Sequence, residues 1–391
     1  MFYIPGYDPF PPRRYRELYR REAGVQAAIC GYRLTVSAPG GGNGWQVAAE
    51  IEGAGALTDL EVLVWSDLVR GSMRNGIVAT YLQMLRTLWI YLRSGAIWRL
   101  ARLRKGPTIA ALYPVLLLLL QAAVAAGLAV AAGWGAARAM APAGPAVQLA
   151  GAVAAAAVLW WAAMQVFRRL DARLYAWYLM NDYAYGAQAD GDYPPDLAAR
   201  LGLWRQRIAA ALDGSVDEVL VVGHSTGAHL AVSVLAGLPP HGAGPALGLL
   251  TLGQVAPMIT FLPKAGRLRA DLRAVSLRDD IAWVDVSAPG DGCAYALCDP
   301  VAVSGVAPPG QRGPLVLSAA FTQTLSPDRW RRLRWRWFRL HFQYLCAFDR
   351  PGAYDYFRIT AGPRTLADRF APVPPSPGVI RRALNPHRGL A

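Results

Sequence analysis

The chain has 391 residues, room for one large domain or two ordinary ones, and 54% of them are hydrophobic, high for a soluble enzyme. That balance points to a globular part plus membrane segments. The net charge of +14 is almost wholly arginine, Lys105 and Lys264 being the only lysines. Genomic base bias can produce such a total, so it identifies no nucleic-acid partner.

Cys30, Cys293, Cys298 and Cys346 form no CxxC pair, and no histidine stands at zinc-finger spacing. They read as buried reduced thiols in a reducing compartment, with no metal site. The opening MFYIPGYDPF lacks a basic segment followed by an apolar core, so no cleavable signal peptide is expected.

In chain order, Phe2-Tyr3-Ile4 predicts a short strand ending at the turn Gly6-Tyr7-Asp8-Pro9, and PPRRYRELYRREAG a polar helix. Strands are expected within QAAICGYRLTVSA and GWQVAAEIEG, and a stronger one over Leu60 to Leu68. This first part spans residues 1–75. Residues 76–106 mix aromatic and arginine positions at helical intervals, which suits one helix lying in the headgroup layer.

Residues 107–133 then carry no charge, and neither do 146–167. Each exceeds the ~20 residues that cross a bilayer core. Joined by WGAARAMAPAGP, they predict a transmembrane helical hairpin over 107–168. Arg86, Arg93, Arg99, Arg102, Arg104 and Lys105 precede it, Arg168, Arg169 and Arg173 follow it, and the turn holds only Arg138. The positive-inside rule places both flanks, and the globular part, on the cytoplasmic side of a cytoplasmic or inner membrane.

After the hairpin, 169–372 resumes the globular part. A long helical stretch leads to the strand EVLVVG and the helix HLAVSVLAGLPP. Further strands are expected at LGLLTLG, AWVDVSA and PLVLSAA. Strands alternating with helices predict an α/β fold, a mostly parallel sheet covered on both faces, with the hairpin as an insertion at its exposed edge. Residues 373–391, rich in Pro and Arg, are expected to be disordered.

Gly223-His224-Ser225-Thr226-Gly227 is GxSxG between a strand and a helix. A sharp strand-to-helix turn lifts Ser225 out of the sheet, and glycines two residues to each side let strand and helix pass closely. The helix N-terminus behind the serine favours developing negative charge. One oxyanion donor is expected to be the N–H of Thr226.

Here the chain resembles the α/β-hydrolase superfamily, whose lipases and esterases commonly carry GHSxG. The resemblance covers about 300 residues outside the hairpin and rests on short motifs. It implies the chain order Ser, acid, His, with the acid after a late strand. Asp291, just past AWVDVSA, matches that placement best; Asp285 inside the strand is the alternative, and Asp299 lies farther along the loop. For the base, His229 is one turn behind the nucleophile, His241 is too early for the family order, and His387 lies in the tail. His341 remains, in an H-x-x-Y pattern with Tyr344 similar to that after the base of several lipases. By family placement the second oxyanion donor comes from Gly6-Tyr7.

Arg329 to Phe342, RWRRLRWRWFRLHF, sets six arginines among Trp330, Trp335, Trp337 and Phe338. It reads either as a surface meeting anionic lipid headgroups or as a solvated Arg face with its tryptophans turned inward. No nucleic-acid module, phosphate-cradling loop or dinucleotide fingerprint is present, so neither a nucleic-acid partner nor a cofactor is expected. The partners expected are a lipid bilayer and a lipid-like or other small ester. The expected activity is a membrane-anchored serine ester hydrolase. Acyl transfer through the same residues and an inactive scaffold of the same fold are the alternatives.

Overall fold

Short apolar and β-branched runs form eight strands in the computed structural model, which describes residues 1–38, 42–242 and 244–391. They are β1 (Phe2–Ile4), β2 (Arg33–Ser37), β3 (Gly44–Ile51), β4 (Ala54–Val62), β5 (Glu218–His224), β6 (Ala246–Leu252), β7 (Ile281–Ser287) and β8 (Leu315–Ser318). One sheet holds them in the order β2-β3-β4-β1-β5-β6-β7-β8. The first three strands of that order are antiparallel neighbours, and all pairings from β4 to β8 are parallel. The fold is α/β with a mixed sheet. In β5 and β6 every residue after the first is buried, so both faces of the sheet are covered there.

Two local expectations change. The strand expected over Leu60 to Leu68 lies earlier, because Glu52 (φ 57°) and Gly53 (φ 79°) close a tight hairpin that starts β4 at Ala54. Beyond β4 the chain turns Trp65 wholly inward, its indole donating to the Pro5 carbonyl at 3.0 Å, and Ser66–Ser72 is helical. The single helix expected before the hairpin is two, Ile77–Arg93 and Ala96–Leu103. Gly95 at φ 66° takes the left-handed conformation that separates them.

The chain divides into two compact units. The first comprises Met1–Gly71, Ile90–Thr108 and Gly186–Ala391. It contains the sheet and a core running from Tyr19 and Trp45 through Leu250 and Val284 to Tyr344, Phe348 and Phe357. The C-terminal tail, expected to be disordered, packs on this unit. Asn385 is buried and donates to the carbonyls of Thr260 (2.7 Å) and Ser304 (3.1 Å), and Arg269 donates to the Gly389 carbonyl at 2.7 Å. Such bonds supply the order that the composition of the tail does not predict.

The second unit comprises Ser72–Trp89 and Ile109–Tyr185. Its helices form a small cluster around Met84, Leu118, Met164, Trp177 and Met180. Asp171 accepts from the N–H groups of Trp177 (2.8 Å) and Tyr178 (2.9 Å), capping the next helix as the chain passes Tyr175 in left-handed conformation. Two helices in the chain, Lys105–Ala139 (35 residues) and Pro145–Leu174 (30 residues), are long and apolar enough to cross a membrane. At Gly133 an added Cβ would stand 3.1 Å from the Ala152 carbonyl, so a small residue lets these helices approach. Only 17% and 11% of their most apolar windows are buried, which leaves Leu116, Leu120, Val130, Leu149 and Val158 exposed. A buried helix pair in a water-soluble core would cover those residues.

Candidate functional site

Ser225 sits at the junction of β5 and the helix Thr226–Ala236, with φ 58° and ψ −122°. A side chain in that region is strained, and the surroundings hold it. The Ser225 N–H donates to the Leu252 carbonyl at 2.9 Å, and Ala228 donates back to the Ser225 carbonyl at 3.0 Å. Both flanking glycines are needed for space. A Cβ on Gly223 would meet the Gly227 carbonyl at 2.4 Å, and one on Gly227 the Ile4 carbonyl at 2.1 Å. The end of β1 therefore runs directly over the turn.

That overlap brings Gly6 to the serine. A Cβ on Gly6 would lie 3.0 Å from Ser225 Cβ and 3.5 Å from its Oγ. The Gly6-Tyr7 turn is braced by Asp8, which accepts from the Tyr15 hydroxyl at 2.5 Å and the Phe10 N–H at 2.9 Å. Thr226, first in its helix, has no carbonyl one turn back to receive its N–H.

His341 ends the short helix Trp337–His341, and Asp291 stands four residues past the end of β7. His341 Nδ1 and Asp291 Oδ2 are 2.7 Å apart, and both residues are buried. The same carboxylate oxygen accepts from the Tyr344 hydroxyl at 3.0 Å, and Oδ1 accepts from the Cys293 N–H at 2.9 Å. Burial opposes ionisation of Asp291. The neighbouring His341 and these hydrogen bonds outweigh it and hold the carboxyl below its usual range.

His224, beside Ser225 in sequence, links the two halves. Its Nε2 lies 2.9 Å from the His341 carbonyl, and the two rings are 4.8 Å apart. A carbonyl only accepts, so His224 Nε2 carries the proton. Burial, with the adjacent His341, pushes His224 down to about 3, leaving it neutral near pH 7. Gly253 makes room on the other side. At φ 53°, its Cβ would fall 3.0 Å from His341 Cε1 and 2.7 Å from the Tyr344 ring. His341 Nε2 is buried with no hydrogen-bond partner among the described residues, so no bond joins it to Ser225 Oγ here. In unliganded sites such bonds are often long and tighten with substrate.

The other candidates make other bonds. Asp285 is buried in β7 and accepts from the Thr251 hydroxyl at 2.6 Å, so it is not placed on His341. Asp299 caps the helix Pro300–Val303 through the N–H groups of Val301 and Ala302. His229 is buried in the helix behind Ser225, the backbone of His241 donates to Asp280, and His387 stays in the tail. Sequence reasoning did not find Gly253, for which no motif exists, or the second role of His224 as a brace for His341. The H-x-x-Y spacing was the one signal for Tyr344.

Asp291, Cys293 and His341 place one ligand atom each within 4.8 Å of one another, the donor set of a divalent-metal site. Nδ1 and Oδ2 are already joined by a hydrogen bond, and a cation there would displace the proton that orients the imidazole. No family model, curated protein or solved structure matches the chain.

Proposed function

We propose that this chain is a membrane-anchored serine hydrolase of carboxylic esters, built on an α/β-hydrolase-like sheet, with Ser225 as nucleophile, His341 as base and Asp291 as acid. The observation that carries the reading is the 2.7 Å bond from His341 to Asp291, with the His341 carbonyl bonded to His224, the sequence neighbour of a serine in strained backbone conformation. In the mechanism, His341 Nε2 takes the Ser225 proton as Oγ attacks the acyl carbonyl. Asp291 fixes the tautomer and stabilises the imidazolium. The oxyanion would be met by the N–H of Thr226 and by the Gly6-Tyr7 turn, donors typically worth about 3 kcal/mol each. His341 then protonates the leaving alcohol, and water, activated by the same imidazole, releases the acid.

The two long apolar helices support anchoring in a bilayer, and the arginines flanking them support a cytoplasmic globular part. The test is fluorophosphonate labelling of the detergent-solubilised chain, wild type beside Ser225→Ala and His341→Ala. Labelling of the wild type, lost in both variants with folding intact, is the expected result. A folded wild type that does not label overturns the reading and leaves an inactive scaffold of this fold.

A further inference from the structure

Beside the proposed catalytic acid lies an open cavity of about 1090 Å³, formed entirely by the first unit. Four cations line it: Arg102, Arg104 and Lys105, which immediately precede the first apolar stretch in sequence, and Arg334. Among the described residues none of the four forms an ion pair. The one acid in the lining is Asp291, and its oxygens are already taken up by His341, Tyr344 and the Cys293 N–H. Arg104 is held in place by its Nε, which donates to the Ala296 carbonyl at 2.9 Å.

The rest of the lining is aromatic. Trp98, Trp330, Trp335 and Trp337 stand around the cavity, with Trp98 and Trp335 strongly exposed. The loop that carries Asp291 is shaped to receive them. A Cβ on Gly290 would meet the Trp330 ring at 2.6 Å, and one on Gly292 would touch Trp337 at 3.5 Å. Gly106 approaches the same loop, its Cβ position lying 3.3 Å from Gly292 Cα. The Arg/Trp segment breaks between the helices Pro327–Leu333 and Trp337–His341. Arg331, Arg332, Arg334, Arg336 and Arg339 are exposed, as in a solvated Arg face, and Trp330 and Trp337 turn onto the loop of Asp291 while Trp335 stays exposed.

Four like charges around one cavity repel one another, and a multiply charged anion removes that cost. Arginine forks match phosphate oxygens, and tryptophan faces cover apolar chain. Resting on the hydrolase reading of Ser225, Asp291 and His341, we propose that this cavity receives a phosphate group of the substrate, so that the preferred substrate is an acyl ester bearing a phosphate. A membrane phospholipid and a soluble phosphate-bearing acyl carrier share this chemistry.

The experiment uses the full chain in neutral detergent. kcat/KM is measured on dihexanoyl phosphatidate against uncharged dihexanoylglycerol, and on the thioester hexanoyl-coenzyme A against uncharged hexanoyl-pantetheine, for wild type, Arg102→Gln and Arg334→Gln. Binding of the same compounds to Ser225→Ala is followed by tryptophan fluorescence. We expect a phosphate-bearing substrate to be preferred, and each pocket variant to cut that preference by about ten-fold. Arg33→Gln removes the same charge at the sheet edge, from a pair with Glu50, and should leave the preference intact. A preference for phosphatidate over its uncharged counterpart identifies a lipid source; one for the coenzyme A thioester over its own identifies a soluble source.

Equal use and equal binding of charged and uncharged esters overturn the proposal. So do pocket variants that lower both classes alike. If fluorophosphonate fails to label Ser225, the hydrolase reading falls, and the binding arm with Ser225→Ala still decides whether the cavity selects phosphate.

Discussion

Tyr344→Phe removes one oxygen from the wall behind the proposed base. The phenol is wholly buried, and burial keeps it protonated far above neutral pH, so it acts as a fixed donor to Asp291. It also accepts from the Ala288 N–H at 2.9 Å, at the start of the loop that carries Asp291. The ring would remain, packed 4.9 Å from Phe321 and edge-on to His341 at 6.2 Å. The variant therefore leaves one backbone N–H buried without an acceptor and takes one hydrogen bond from a buried carboxylate. Each loss costs about 1–3 kcal/mol, and because they share one atom we expect about 3 kcal/mol in all. Asp291 keeps its bonds from His341 and from the Cys293 N–H but loses the donor that fixes it from behind, so Ser225 labelling should persist at a reduced rate. Urea unfolding followed by tryptophan fluorescence, with fluorophosphonate labelling rates at pH 7, measures both effects. Wild-type stability with a wild-type labelling rate would refute the coupling of Tyr344 to Asp291.

Two further changes probe the frame of the site. Gly227→Ala would drive a Cβ to 2.1 Å from the Ile4 carbonyl and 2.6 Å from that of Pro5, so it should cost more than about 3 kcal/mol, visible as lost folded protein. Gly24→Ala, in the helix Arg13–Cys30 with nothing within 4 Å, should instead gain about 0.5–1 kcal/mol; equal behaviour of the two would contradict the close crossing of β1 over the turn. Asp285 supplies a pH test. Burial raises it to about 7, partly offset by its bond from Thr251, so the folded chain holds a proton that the unfolded chain loses above pH ~4. Stability from this group is present below that pH and is lost as pH rises towards 7, by at most about 4 kcal/mol. Asp285→Asn should thus gain on wild type between pH 5 and pH 8 in urea midpoints, and a constant difference between the two would show that Asp285 does not titrate in this way.

How far the sequence could be read depends on whether the interaction is local. The β5 turn was legible because its needs are written within five residues: two glycines where carbonyls pass at 2.1 and 2.4 Å, and a serine between strand and helix. The apolar helices were legible because their length and lack of charge are written in two uninterrupted runs, whatever the rest of the chain does. Where contacts are long-range the reading weakened. The start of β4 depended on which partner strand the Glu52-Gly53 turn would fold it onto, and the tail on acceptors for Asn385 that lie 81 and 125 residues away. Gly253 illustrates the limit best. It has no neighbour in any motif, yet a single methyl there would collide with both the His341 and Tyr344 rings. Its requirement exists only once β6 has been laid beside β5 and β7 and the chain has returned with His341, nearly ninety residues later. A pattern search sees the residues that do chemistry, whereas the space they need is set by the sheet order.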